Sequence, residues 1–278
     1  MTSALGVVLL ALLAAANKPN VVVRKPMPPP APAPVASVRI LDGTLQRGRG
    51  TSWRGADRDF RISPGESLRT SADGAALLTF PWMQILVGGD AVVGLTPSTI
   101  LSVTLDRGRV QERATAGDIL KVITAEGEVR GRGDVVVTRS EVSAETRVSA
   151  LSGWFRVRSP RGLVSLEAGQ GAIVTAAGPP EIVDLPASPT GLVPGSDPVY
   201  VEQGRSARLV WSGSAPRYRA HVLSLTGDEV VLSREVEGEA LDVPGRWLGT
   251  FQWRVSSIDA RGVEGPPSVP GLFCVVEK

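Results

Sequence analysis

The 278-residue chain is 42% hydrophobic and 21% charged, a globular composition with enough apolar material for about two cored domains. Lys plus Arg number 30 against 28 for Asp plus Glu, a formal charge of +2, and this balance speaks against nucleic acid, which needs a concentrated basic stripe. Gly (31) and Pro (22) are abundant, favouring a turn-rich all-β design over a helical one, and the single Cys274 has no intrachain disulfide partner.

The apolar run "ALGVVLLALLAAA" (residues 4–16) has the length of a secretory signal core and is short for a spanning helix, which needs about 20 residues. Residues 1–16 are therefore expected to be a signal peptide or a short membrane anchor, the alternative being a buried apolar N-terminus. No Lys or Arg precedes the run, and Lys18, Arg24 and Lys25 follow it. Residues 17–37, with "KPMPPPAPAPVA", read as an extended spacer, because proline fixes φ and lacks an N–H.

Residues 38–184 read as short strands separated by glycine turns: "ALLTF", "QILV", "TILSVTL", "DILKVIT", "GEVRGRGDVVVT", "SGWFRVRS", "GLVSLEAG" and "AIVTAA". Phe155 and Val157 alternate with Arg156 and Arg158, the period of a sheet with one buried face. "PGESLRT", "AGDILKV" and "EAGQGAIV" echo one another as a turn followed by a strand, which suggests stacked units. The segment "EVRGRGDVVVTRS" holds an Arg-Gly-Asp tripeptide that runs straight into three valines. It reads as a strand whose Arg130 and Arg132 are exposed, guarding a sheet edge or contacting phosphate, and not as an adhesive loop tip. The 47–65 stretch reads as a loop-rich excursion in which Trp53, Asp57 and Asp59 could touch a sugar; Trp82, in "FPWMQ", is a core plug or a stacking platform.

"GDILKVITAEGEVRGRGDVVVTRS" followed by "VSALSGWFRVRSPRGLVSLEAGQGAIVTAAG" resembles a FecR-type domain. Thr124, Gly127, Val129, Gly133, Val135, Val137, Gly153, Phe155, Val157, Gly169 and Gln170 carry the likeness, with Gly65, Leu68, Thr70, Asp73, Gly74, Ala76 and Leu78 upstream. The resemblance implies a β-solenoid-like domain outside the cytoplasmic membrane. The family's founding role relays a receptor signal to a sigma factor through a cytoplasmic segment. Three residues precede the apolar run here, so that founding role is not carried over; a signalling arm, in which the FecR-like domain reports ligand occupancy to a partner, stands as the second expectation.

"LPASPTGLVPGSDP" (185–198) reads as a joint, and residues 199–278 change pattern. Leu209 with Trp211, Tyr218 with Ala220 and Val222, and Phe251 with Trp253 and Val255 each share a face; His221 is expected on the opposite, outward face. About seven short strands in this span suggest an immunoglobulin-like sandwich. Trp211, Tyr218, Gly249, Trp253, Val255, Asp259 and Gly262 resemble the bacterial fibronectin type III pattern, with Phe251 where Tyr is usual.

One His and one Cys make a nucleophile–base arrangement implausible, and no HExxH, Cys pair or His cluster suggests zinc. The expectation is a non-enzymatic, exported, periplasmic or envelope protein without cofactor or metal. It would recognise an envelope protein or a cell-wall glycan and attach to the membrane, if at all, through its N-terminus. A glycan-binding accessory to a wall enzyme is the third expectation.

Overall fold

A computed structural model describes residues 35–57, 59–96, 101–114, 119–225 and 229–278. The expected signal or anchor, nearly all of the proline-rich spacer, residues 116–118 of the echo and the 226–228 hairpin turn lie outside the described residues. Every regular element among the described residues is a strand.

The first body holds β1 (Ala36–Asp42), β2 (Leu45–Arg49), β3 (Ser52–Ala56), β4 (Phe60–Ile62), β5 (Ser67–Thr70), β6 (Ala75–Phe80), β7 (Met83–Val87), β8 (Val92–Thr96) and β9 (Leu101–Ala114). It continues with β10 (Leu120–Ile123), β11 (Glu128–Arg132), β12 (Val135–Ser140), β13 (Glu145–Ala150), β14 (Trp154–Ser159), β15 (Gly162–Glu167), β16 (Gln170–Thr175) and β17 (Glu181–Asp184). The second body holds β18 (Thr190–Val193), β19 (Val199–Glu202), β20 (Ser206–Ser212), β21 (Arg217–Ser224), β22 (Glu229–Glu237), β23 (Ala240–Pro244), β24 (Gly249–Ile258), β25 (Glu264–Pro267) and β26 (Gly271–Val276).

In the first body the strands form two facing sheets. Sheet I runs β4-β1-β6-β7-β9-β12-β13-β16-β17. Sheet II runs β3-β2-β5-β8-β9-β10-β11-β14-β15. The long β9 belongs to both. Its first half pairs with β8 and β10, its second with β7 and β12. Asp106 is bulged out of the β8 pairing, where Val92 faces Arg107 and Val93 faces Leu105. One extra residue reverses which side chains face inward. Leu101, Val103 and Leu105 enter the core before the bulge, Val110 after it. Gly108, at φ +86°, makes the bend, and Ala91 packs where a side chain would sit.

Both sheets fill one core, with Leu78, Ile85, Val137 and Val148 from sheet I meeting Leu68, Val103, Phe155 and Val157 from sheet II. Each such side chain contributes about 1.5–3 kcal/mol on burial. The all-β expectation holds. A solenoid-like winding is not what the sheet order shows: antiparallel hairpins alternate between two sheets, and only β9–β10 pairs in parallel among these strands. Gly65 and Gly169, at φ +86° and +88°, each close a turn ahead of a strand, β5 and β16, but these strands lie in different sheets.

The second body stacks β19-β26-β24-β21-β22, with β25 on β24, over β18-β20-β23. Trp211, Tyr218 and Trp253 fill its core, with Trp211 edge-on to Tyr218 at 5.6 Å between ring centroids. Phe251 stacks on Phe273 at 5.3 Å. The Tyr218 hydroxyl accepts a hydrogen bond from the Ala215 N–H at 3.1 Å.

The outer face of sheet I is covered by β21, β22 and β25 of the second body. Leu86 packs with Leu223 and Val230. Arg109 of β9 donates two hydrogen bonds to Glu264 of β25, at 2.7 and 2.6 Å, and Arg219 of β21 reaches the same carboxylate at 3.3 Å. The 185–198 segment lies along the second body: Ser257 Oγ donates to Ala187 O at 2.6 Å, and Trp253 Nε1 donates to Pro194 O at 3.1 Å.

Candidate functional site

No described residue covers the outer face of sheet II, and β11 and β14 alternate between buried and outward-facing positions. Strand β11 pairs antiparallel with β14, placing Arg130 directly opposite Arg156, Glu128 opposite Arg158 and Arg132 opposite Trp154. On the next strand Leu163 stands opposite Arg158. These side chains form one shallow hollow lined by Arg130, Trp154, Arg156, Arg158, Leu163 and Glu128. Trp154 and Leu163 are 46% and 59% exposed. Glu128 is committed to Lys121 at 2.7 Å, whereas no ion pair to a described residue engages Arg130, Arg132, Arg156 or Arg158. The surface is therefore cationic with an apolar, aromatic centre.

Arg130 and Arg132 are exposed, as the alternation requires. They do not guard an edge, since β11 lies between β10 and β14 and the edge strand is β15. Arg132-Gly133-Asp134 forms the corner between β11 and β12. Its Asp134 N–H donates to Ser152 Oγ at 2.9 Å and its carbonyl accepts from the Leu151 and Ser152 N–H groups.

The other expected residues do not line this hollow. Trp53 sits on β3 with the Arg69 guanidinium 5.1 Å above its ring. Asp57 and Asp59 share a separate shallow hollow with Arg47, Arg54 and Phe60. Asp59 accepts from the Ile40 N–H at 3.3 Å and lies 3.9 Å from Arg39. Trp82, in the turn between β6 and β7, is partly buried against the core. The 47–65 stretch expected as a loop carries the β2–β3 hairpin and β4.

His221 is not outward in the sense of solvated. It does stand on the face opposite Tyr218 and Val222, but sheet I covers that face and leaves the residue 8% exposed. Burial, then the charge of Arg109, pushes its imidazole down to about 3. It is neutral at physiological pH, and neither ring nitrogen has a hydrogen-bond partner among the described residues. Glu264 nearby is held at about 2: burial alone would raise it, but the charges of Arg109 and Arg219 outweigh burial. Inside the first body, burial and the Asp134 charge push Glu112 up to about 9, and both its carboxyl oxygens lack partners among the described residues.

Trp154, Arg156, Arg158 and Leu163 were not singled out as site residues from sequence. Their signal is the match between "EVRGR" and "WFRVRS", two strands with arginine at every second position.

No protein-family model and no curated protein matches the chain. Among solved structures it is similar to a candidate anti-sigma factor from Parabacteroides distasonis, at 17% identity and a TM-score of 0.39 over 42% of this chain. This chain spans 59% of that structure's length. It is also similar to titin domains A168–A170 (11% identity, TM-score 0.28, 87% of this chain and 100% of that one). A third similar structure is the extracellular domain of a candidate one-component system from B. thetaiotaomicron (7% identity, TM-score 0.23, 87% of this chain and 56% of that one).

Proposed function

We propose that the chain is a non-catalytic binding protein of the cell envelope. A FecR-type β-domain engages an acidic envelope glycan through the open face of sheet II, and the immunoglobulin-like domain braces that domain from behind. The observation that carries this reading is the register of Arg130 against Arg156. Like charges directly opposite in an antiparallel pair cost stability, and an acidic ligand would remove that cost. Guanidinium groups bind carboxylate and phosphate through paired donors, and the exposed Trp154 ring offers a stacking surface for a sugar.

Co-sedimentation of the purified protein with isolated cell walls tests this. Binding that weakens with salt, disappears when acidic polymers are stripped from the wall, and is lost in R130E/R132E supports it. Undiminished binding by that variant overturns it, and binding that protease treatment of the wall abolishes redirects the reading to an acidic protein.

A further inference from the structure

A cleft of about 200 Å³ opens where sheet I meets the second body, at the ends of β7 and β9 on one side and of β21, β22 and β24 on the other. It is distinct from the cationic face of sheet II. One wall is apolar: Leu86, Leu151, Leu223 and Val230. The other carries Gln111, Arg113, Asp134, His221, Arg254 and Ser256. At about seven waters' share of liquid volume, and below the 300–1,000 Å³ usual for drug-sized ligands, it suits a very small molecule.

We propose that this cleft binds a small organic carboxylate with an apolar body, the carboxylate held by Arg113 and Arg254 and the body packed on the leucine and valine wall. Two guanidinium groups face one acid, Asp134, so the lining carries a net positive charge. Arg113 makes no ion pair to a described residue. With the Gln252 amide oxygen turned toward it, Arg254 donates from Nε and Nη2 at 2.9 and 2.7 Å, leaving Nη1 for a ligand. Gln111 uses its oxygen to accept from Arg109 at 2.9 Å, which frees its amide N–H groups. The lining is thus rich in donors and poor in acceptors, the complement of a carboxylate.

His221 supplies the second, independent mark of a binding site. It is more than nine-tenths buried, lines the cleft, and has two nitrogens unpartnered among the described residues, although buried polar groups normally find partners. Three guanidinium groups (Arg109, Arg219 and Arg113) and one carboxylate (Glu264) act on it, so the potential at the cleft floor is positive. Glu112, opposite Val135 in the neighbouring strand, is protonated at neutral pH and adds no opposing charge.

The chain has a single histidine, so the His221 ring resonances of the untagged full chain report on this cleft alone. Benzoate serves as the probe, and benzamide, its uncharged analogue, as the control. A saturable shift of the His221 resonance with benzoate, absent with benzamide and at least tenfold weaker in affinity in R113Q, supports the proposal. Because R113Q could act by loosening the interface, L151W is the second variant: it fills the cleft from its apolar wall and is expected to abolish the shift while leaving Tm within a few degrees. No saturable shift with benzoate, equal response to benzamide, or unchanged affinity in both variants overturns it.

Discussion

Arg109 and Glu264, 155 residues apart in sequence, meet in a two-point ion pair whose side chains are each 4% exposed. This contact joins β9, the strand shared by both sheets of the first body, to β25 of the second. Arg219 shares the carboxylate, and Glu235 takes the other end of Arg219 at 2.5 Å. Arg109 Nη1 alone of that guanidinium's nitrogens finds no partner among the described residues, so the cluster has nothing to spare, and removing one member leaves charge stranded in a dry interface.

E264Q is therefore expected to cost about 3–5 kcal/mol in urea unfolding, with faster proteolysis in the 185–198 segment. E181Q, which breaks the exposed Arg261–Glu181 pair, is the matched control and is expected to cost under about 0.5 kcal/mol.

Stability should peak between about pH 4.5 and 6.5. His221, lowered from 6.5 to about 3, binds fewer protons folded than unfolded between those values, so its contribution falls as pH drops below 6.5. Glu264, lowered from 4.5 to about 2, adds to the acid loss below 4.5. Glu112 has the opposite sign: raised from 4.5 to about 9, it holds its proton folded and loses it unfolded, so its contribution falls as pH rises through that range. Between 4.5 and 6.5 the His221 and Glu112 slopes cancel; outside it each group contributes at most about 1.4 kcal/mol per pH unit. Thermal denaturation from pH 3 to 9 checks the profile, and E112Q should flatten its alkaline limb.

Trp253 and Trp211 share the second core but differ in what their indole N–H groups do. Trp253 donates to Pro194 O, whereas Trp211 Nε1 has no partner among the described residues. W253F strands a buried carbonyl and should cost about 1–3 kcal/mol more than W211F, measured by urea unfolding, and should release the 185–198 segment to protease.

R130E places a carboxylate opposite Arg156 in place of a like charge, turning cross-strand repulsion into attraction. It is expected to raise stability by about 0.2–1 kcal/mol while weakening adsorption to cell walls. A change that stabilises the fold yet removes binding marks Arg130 as kept for its ligand.

Much of sheet II was readable in the sequence, because one face meets water and the side chains alternate: Phe155 and Val157 inward, Arg156 and Arg158 outward. The aromatic core of the second body was readable for the same reason, from Trp211, Tyr218 and Trp253. Sheet I was harder. Its strands bear continuous apolar runs at 75–78, 85–87, 135–137 and 172–174, and Leu86 and Val136 are buried on the side away from the first core. Such runs mean burial on both faces. Alternation correctly put His221 opposite Tyr218, but period two says which side chains share a face, not what covers it. The Arg130–Arg156 pairing was hidden because β12 and β13 intervene in the chain while lying in the other sheet.

All of this depends on sheet I meeting the second body face to face, and the single histidine tests that most directly. Nuclear magnetic resonance titration of His221 in the untagged protein should show no protonation between pH 5 and 8. A resonance titrating near the ordinary value of 6.5 would place the imidazole in water and contradict the docked arrangement.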